Sequence, residues 1–396
     1  MLGGDLSSLS TGTGSMRFAI VGCGFVADYY LATLANHRML ELAGVFDRDA
    51  ERARAFASYH RAHTYRSLDE VLGDASLEMV VNLTNPRSHY EVSMAALRAG
   101  KHVYTEKPLA TSVAQALQLV ETAEANALLL GSAPCTLLGE TAQTLWKALR
   151  EKRIGTPRAI YAEMDDGPVP LEDHDKWKSA SGAPWPAKDE FEVGCTLEHS
   201  AYVLSWLTAF FGPACAVTSS AHVIKPDKGV LLDVTSPDFT VASIEFASGV
   251  VARLTCGIFA AQDRCLRIFG DGGILATDDT WDFGSPVYLS RRTRLGLKGE
   301  KHPRLAKWIG LGPRRLPLVR QPRFLWSGRP ANHIDYSRGV AELAAAAIER
   351  RTPRLSARWS LHVNELALAI QDPATYGCPR VLHSTFQPIA PMSWAT

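Results

Sequence analysis

Arg17-Phe18-Ala19-Ile20-Val21-Gly22-Cys23-Gly24-Phe25-Val26-Ala27 decides the fold. Arg17 to Val21 is a short apolar run that reads as a strand. A G-x-G-x-x-A turn follows, and Phe25 to Ala35 then reads as a helix. Strand, glycine turn and helix in that order are the setting in which this motif binds a dinucleotide. Gly22 permits the tight turn, Gly24 lets the backbone approach a pyrophosphate, and Ala27 keeps helix and strand close. The phosphates are expected beside Phe25 and Val26, where free N–H groups and the helix dipole favour anions.

Downstream of the turn, short apolar runs keep alternating with amphipathic stretches. Leu40 to Phe46 reads as a strand and Asp49 to Tyr59 as a charged helix. Glu78 to Leu83 reads as a buried strand and His89 to Ala99 as a helix closed by Gly100. His102 to Thr105 is a further strand, and Ser112 to Ala125 a helix that enters Leu128 to Leu130. Alternation of this kind implies crossover units and a parallel sheet covered on both faces. Asp47 ends the second strand, roughly 20 to 25 residues beyond the turn, where an acid accepts hydrogen bonds from the adenosine ribose. A carboxylate there repels a 2′-phosphate and favours NAD, while Arg48 beside it leaves NADP open.

The pattern changes after about residue 150. Pro and Gly cluster in 165–170 and 180–187, which suggests loops. A helix is predicted from about Thr196 to Phe211, ending at Gly212-Pro213. Ala214 to Val223, Phe239 to Phe246, Val250 to Gly257 and Cys265 to Phe269 read as strands joined by short turns, which favours an antiparallel or mixed sheet. Two helices close the chain, near His333 to Arg350 and Ser360 to Gln371.

Composition narrows the classes. The chain has 396 residues, 46% hydrophobic and 21% charged, with a formal net charge of +1. That suits a two-domain soluble protein and gives no general reason to expect nucleic acid or a membrane as partner. No apolar run reaches the length of a membrane-spanning helix. Seven scattered cysteines without a C-x-x-C pair indicate neither a disulfide framework nor a zinc site, and cytoplasmic thiols are the simplest expectation. Residues 1–15, rich in Gly, Ser and Thr, read as a disordered leader. The segment from Arg291 to Arg329 holds twelve Lys or Arg residues against the single acid Glu300. It reads as a solvated basic arm or subunit contact, with an anionic substrate group as the sharper alternative. H-E-x-x-H, G-x-S-x-G and Walker motifs are absent, so metal-dependent hydrolysis and phosphoryl transfer have no motif behind them, and no metal is expected.

Beyond the turn, Asp47-Arg48-Asp49, Thr84-Asn85-Pro86-Arg87-Ser88-His89, Ala99-Gly100-Lys101-His102-Val103 and Glu106-Lys107-Pro108 follow in order. On these motifs the chain resembles the glucose–fructose oxidoreductase / inositol dehydrogenase / MocA family from Met16 onward. The resemblance implies an α/β protein: an N-terminal Rossmann doubly wound parallel sheet over 16–138. A C-terminal α+β domain with a large, mainly antiparallel open sheet follows over 139–396. That second domain is expected to bind substrate and make homodimer or homotetramer contacts. Thr84, Asn85, Pro86, His89, Glu106 and Lys107 are carried over as cofactor-side residues, with Asn85 toward the nicotinamide ribose and His89 orienting its loop. Lys107 is expected to face substrate and nicotinamide. A lysine in a partly dry cleft beside an oxidised nicotinamide has a lowered pKa and can exchange a proton with a substrate oxygen.

Many members of that family carry an Asp and a His four residues apart where this chain has Glu198 and Tyr202. Spacing of i and i+4 keeps the two on one helical face. Tyr202 needs a nearby cation to act as acid or base at neutral pH, and Lys107 is placed to supply it. His199 competes for the role, although it lies about 100° round the helix and is expected on a different wall. Trp177, Trp185 and Tyr202 are expected to flank the cleft. The resulting expectation is an NAD(H)-dependent oxidoreductase acting on a secondary alcohol or ketone of a carbohydrate-like substrate. Lys107 is its acid–base group, Tyr202 assists and Glu198 orients the substrate. Alternatives are a glycoside hydrolase or lyase working through transient oxidation, a ligand sensor that binds dinucleotide without turnover, and a reductase of a non-sugar ring such as a diol or tetrapyrrole.

Overall fold

The computed structural model describes residues 14–292, 312–321 and 333–396. Residues 1–13 and most of the basic segment lie outside the described residues. Five strands, β1 (Met16–Val21), β2 (Leu40–Phe46), β3 (Met79–Asn82), β4 (His102–Thr105) and β5 (Leu130–Ser132), form a parallel sheet in the order β2-β1-β3-β4-β5. Their helices are α1 (Ala27–Leu34), α2 (Ala50–His60), α3 (Leu68–Gly73), α4 (Pro86–Arg98) and α5 (Val113–Ala125). α2, α3 and α5 start where short polar side chains satisfy free N–H groups: Asp49 accepts from Glu51 and Arg52, Ser67 from Glu70, and Ser112 from Gln115. The strand order reverses between β1 and β3, so a crevice opens outside their carboxyl ends. The six-residue helix α3 is an addition to the sequence reading.

Nine strands build the second sheet, in the order β13-β12-β11-β10-β6-β9-β8-β7-β14. The sequence reading covers β7 (Ala214–His222), β8 (Phe239–Phe246), β9 (Val251–Gly257) and β10 (Leu266–Gly270). It omits β6 (Pro157–Asp165), β11 (Gly273–Thr277), β12 (Val287–Arg291), β13 (Arg314–Leu316) and β14 (Arg380–Val381). Every neighbouring pair is antiparallel except β6 and β9, which run parallel from Ala159 against Val251 to Asp165 against Gly257. That parallel pair brings two carboxyl ends together, and the chain leaving them enters the crevice of the first sheet.

The predicted helix over 196–211 arrives in two pieces, α8 (Cys195–His199) and α9 (Ala201–Phe211), and a further helix, α7 (Ala187–Val193), precedes them. Gly194, at φ 96°, separates α7 from α8. Ser200 keeps right-handed helical angles, so the direction of the chain carries on from α8 into α9. An unread helix, α6 (Glu140–Arg150), precedes β6. The last two long helices are α10 (Ser337–Ile348) and α11 (Ala357–Gln371).

Alternating residues of the first sheet feed two cores. Ala19, Val21, Val80 and Val103 pack under α4 and α5. Ile20, Met79 and Tyr104 join a second cluster that continues through Leu145, Ile160, Ala252 and Leu366 to the inner face of the nine-stranded sheet. Trp206 and Trp359, fully buried in that cluster, donate their indole N–H groups to Thr136 and Thr208. Large rings enter such a core at little cost when the polar handle is satisfied. Helix α10 is fixed to α6 by charge. Arg338 donates to Glu140 Oε2 at 3.0 Å and to the Leu138 carbonyl, and Glu140 is fully buried.

Removing Arg338 leaves a buried carboxylate with only the half-exposed Arg320 as partner. We expect Arg338→Ala to cost about 3 kcal/mol, as breaking a buried ion pair does. The midpoint of urea unfolding measures it, and an unchanged midpoint refutes the account.

Candidate active site

Between the carboxyl ends of β1, β3 and β4 and those of β6 and β9 lies a cleft of about 1000 Å³. Gly22, Gly24, Phe25, Val26, Asp47, Arg48, Thr84, Asn85, Pro86, Glu106 and Lys107 all line it, as do Glu198, His199 and Tyr202. The sequence-predicted residues are therefore brought together, with two exceptions that act from behind the wall. Ala27 is buried under α1, the packing place its small side chain suits. His89 is fully buried and spans two backbone turns, Nδ1 at 2.7 Å from the Pro108 carbonyl and Nε2 at 2.8 Å from the Thr84 carbonyl. It ties the loop after β3 to the turn that carries Lys107.

The glycine turn fits a dinucleotide. Gly22 has φ 101°, and a Cβ there would stand 2.5 Å from the Leu83 backbone. Gly24 differs: a Cβ there meets no protein atom within 4 Å, yet the residue lines the cleft. Its missing side chain is space kept for something outside the chain. Asp47 holds the turn from below, accepting from Cys23 N at 2.8 Å and Asp49 N at 2.9 Å. Its carboxylate thus shapes the turn as well as lining the cleft. Arg52 joins Arg48 on this wall, a second cation absent from the sequence reading.

Lys107 is held by its neighbours. Glu106 accepts from Lys107 N at 2.9 Å and from Tyr30 of α1 at 2.6 Å, which fixes the end of β4 against the dinucleotide helix. The Lys107 ammonium forms an ion pair with Glu198 of α8. Gln371 of α11 seats α8: its Oε1 accepts from Leu197 N at 2.8 Å and its Nε2 donates to the Val193 carbonyl at 2.7 Å. Asn85 does not reach freely into the cleft, because its Nδ2 donates to Asp189 of α7 at 2.5 Å.

Electrostatics correct three expectations. Burial works to lower the pKa of Lys107, but Glu198, Glu190 and Glu106 outweigh it, and the amine is held as an ammonium well above its ordinary range. Tyr202 is not activated by Lys107. Burial and the acids around it, Glu106 foremost, push the phenol well above 10, so it serves as a neutral hydrogen-bond donor. His199 does face the same cleft as Glu198. Burial, then the charges of Lys107 and Arg264, push it down to about 3. It is a neutral imidazole, and its Nε2 lies 3.8 Å from Asp166.

The sequence reading missed the far wall. Asp166 leaves β6 there, pushed up to about 6 by burial against the pull of Arg264. Arg264, buried before β10, donates to Asp279 at 2.6 Å and stacks over Trp281 at 4.3 Å. Trp281 in turn packs on Tyr202 at 4.3 Å. Trp177 and Trp185 line the cleft as expected and meet edge to face at 5.2 Å. Tyr29 and Tyr336 stack at 5.2 Å nearer the glycine turn. Within the basic segment, only Arg291, Arg292, Arg314, Arg315 and Arg320 are described, and none of them lines the cleft.

Comparisons with known proteins agree with this architecture. Residues 16–133 match the GFO_IDH_MocA model, described as an oxidoreductase family with an NAD-binding Rossmann fold. Residues 142–276 match the GFO/IDH/MocA C-terminal domain. The chain is 32% identical to scyllo-inositol 2-dehydrogenase (NADP(+)) IolU of Bacillus subtilis (strain 168), over 37% of this chain and 44% of that protein. It is 25% identical to trans-1,2-dihydrobenzene-1,2-diol dehydrogenase of Bos taurus, over 72% and 78%. The structure of aldose-aldose oxidoreductase from Caulobacter crescentus superposes with a TM-score of 0.72 at 17% identity, over 93% and 100%.

Two outcomes follow from the site. Gly24→Ala should leave the melting temperature unchanged and weaken dinucleotide binding roughly tenfold or more, about 1.4 kcal/mol. Gly22→Ala should instead lower stability, since both its φ and its Leu83 contact are strained. Calorimetric titration with thermal melting separates them. Glu198 gives the second. Burial and Glu190 push it up to about 8 despite Lys107. The folded site therefore binds a proton that the unfolded chain has released, and stability falls as pH rises from the ordinary carboxylate range to about 8. Glu198→Gln should flatten that slope in urea unfolding measured across the window.

Proposed function

The chain belongs to the GFO/IDH/MocA oxidoreductase family, with its NAD-binding Rossmann fold, and from that premise we propose a dehydrogenase or reductase acting on a secondary alcohol or ketone of a sugar, polyol or glycoside. The observation that carries the reading is the position of Lys107. It stands where the dinucleotide wall meets the second sheet's polar wall, paired to Glu198. The nicotinamide, when bound, takes or gives a hydride at the substrate carbon. In reduction the Lys107 ammonium donates a proton to the forming alkoxide. In oxidation Lys107 first yields a proton to Glu198, and the neutral amine then accepts the hydroxyl proton.

Tyr202 orients the reacting oxygen by donating its O–H. His199 and Asp166 meet further hydroxyls, and Trp177, Trp185 and Trp281 offer faces to the apolar side of a ring. Asp47 favours NAD, and Arg48 with Arg52 admits the 2′-phosphate of NADP. The cleft's aromatic wall also favours a second reading, in which the substrate is an alicyclic or aromatic ring diol, the kind of compound named for the bovine relative. Residues 139–396 are proposed as the substrate and oligomer-forming unit. Tyr161 and Val251 stand exposed on the outer face of its sheet, and light scattering tests for a dimer or tetramer.

Sugars, polyols, glycosides and ring diols should be screened with NAD and NADP by absorbance of the reduced cofactor, with free sugar measured alongside. On the substrate found, Lys107→Ala should lower kcat on the order of 100-fold or more while dinucleotide affinity holds. Unchanged turnover refutes the role of Lys107. Release of free sugar without reduced cofactor replaces net oxidation by a hydrolase.

A further inference from the structure

Glu190 of α7 lines the cleft and belongs to none of the motifs that identify it. It is half-buried, whereas Glu198 is 2% exposed. Lys188 and Glu192 of the same helix pair with Asp233 and Arg87, and Asp189 with Asn85, which leaves Glu190 as the acid of α7 whose charge acts on Lys107. Glu198 gives one oxygen, Oε2, to Lys107. Its other oxygen, Oε1, is buried and finds no donor among the amines, amides and hydroxyls around it. The neighbouring group is another carboxyl: Glu190 lines the same cleft, and its charge raises Glu198. Two carboxylates both accept, so they can hydrogen-bond to each other only with a proton on one.

We propose that Glu190 and Glu198 share one proton and form the path by which the proton of the reaction passes between Lys107 and the mouth of the cleft. The proposal rests on the reading of Lys107 as the acid–base group. Exposure increases along the path, from Glu198 to Glu190, so protons exchange with water at the Glu190 end.

The balance runs through four transfers. Lys107 passes a proton to the carboxyl pair, which then holds two, and the amine becomes neutral. The substrate's carbinol carbon gives a hydride, with its electron pair, to the nicotinamide, and its hydroxyl gives the proton to Lys107. Glu190 then releases one proton to water, which restores a singly protonated pair beside an ammonium. The sum is one alcohol and one oxidised dinucleotide converted to one carbonyl, one reduced dinucleotide and one free proton. The charged and titratable groups facing the pair are Lys107 and Glu106 after β4, Asp189 on α7, Asp166 after β6 and Tyr202 on α9. Asp189 is occupied by Asn85. Burial raises both carboxyl groups of the pair, which keeps the shared proton in place at neutral pH.

Infrared difference spectroscopy of the cofactor-free protein, from about pH 5 to about pH 9, reads the shared proton directly. Wild type should show a protonated carboxyl stretch that survives well above the ordinary glutamate range. Glu190→Gln and Glu198→Gln should each abolish it. Persistence in Glu190→Gln, or absence from wild type, overturns the proposal. In turnover, Glu190→Gln should lower kcat roughly tenfold and reshape its pH profile, with KM nearly constant, while Glu190→Asp restores most of the rate. A variant that only melts earlier, with kcat and pH profile of wild type, also overturns it. If Lys107→Ala keeps turnover while the infrared band behaves as stated, the acid–base reading has failed and the shared proton stands. If Lys107→Ala is inactive and the band is missing, the reverse holds.

Discussion

An ammonium in the turn after β4 and a carboxylate on α8, Lys107 and Glu198, meet across the seam of this protein. Each is expensive to bury alone, and each makes the other tolerable. The rest of the architecture serves to place them. β4 ends at Thr105, and the turn that follows presents Lys107 because Glu106 is held by Tyr30 and by Lys107 N. α8 presents Glu198 because Gln371 grips both sides of the Gly194 break. Neither element alone has any use for a charge at that depth.

Supporting side chains show why the seam is rigid. Glu106 is bonded to Tyr30 and to the Lys107 backbone, so the turn that carries Lys107 is tied to α1. His89 joins the loop after β3 to the turn after β4. Asn85 and Arg87 reach over to Asp189 and Glu192 of α7, closing the same seam from the other side. These contacts are second to the reacting groups in space, yet they decide the angle at which the reacting groups face one another. Hydride and proton transfers need that geometry held tightly.

Charge within the cleft follows from crowding. Glu106, Glu190 and Glu198 all stand near Lys107, and Asp166 lies across from them. Burial alone would discharge the lysine, but three neighbouring acids reverse that tendency. The same acids, with burial, keep Tyr202 protonated. His199 goes the other way, because burial, then the charges of the cations Lys107 and Arg264, disfavour its charged form. Within one cleft Lys107 and Tyr202 thus keep their protons while His199 is neutral, a difference set by burial and by which neighbours the fold supplies.

What the sequence determined by itself is the first sheet and its site. β1 with its glycine turn, Asp47 after β2, the Thr84 loop after β3 and Lys107 after β4 are all readable because each is local. A strand end, a turn and a helix start are specified within a dozen residues by apolar runs, glycine and small polar caps. The tertiary structure decided the rest. β6 escaped reading because its buried face, Ile160, Ala162 and Met164, alternates with Tyr161 and Glu163 and is short on large apolar residues. Its parallel pairing with β9, about ninety residues on, is what delivers Asp166 and the Arg264 wall to the cleft. Glu190 carries no motif, and its meaning appears only when α7 places it in the cleft with Glu198. The protonation of Lys107, Tyr202 and His199 depends on burial and on charges drawn from separate segments of the chain, and sums over distant atoms leave no mark in local sequence.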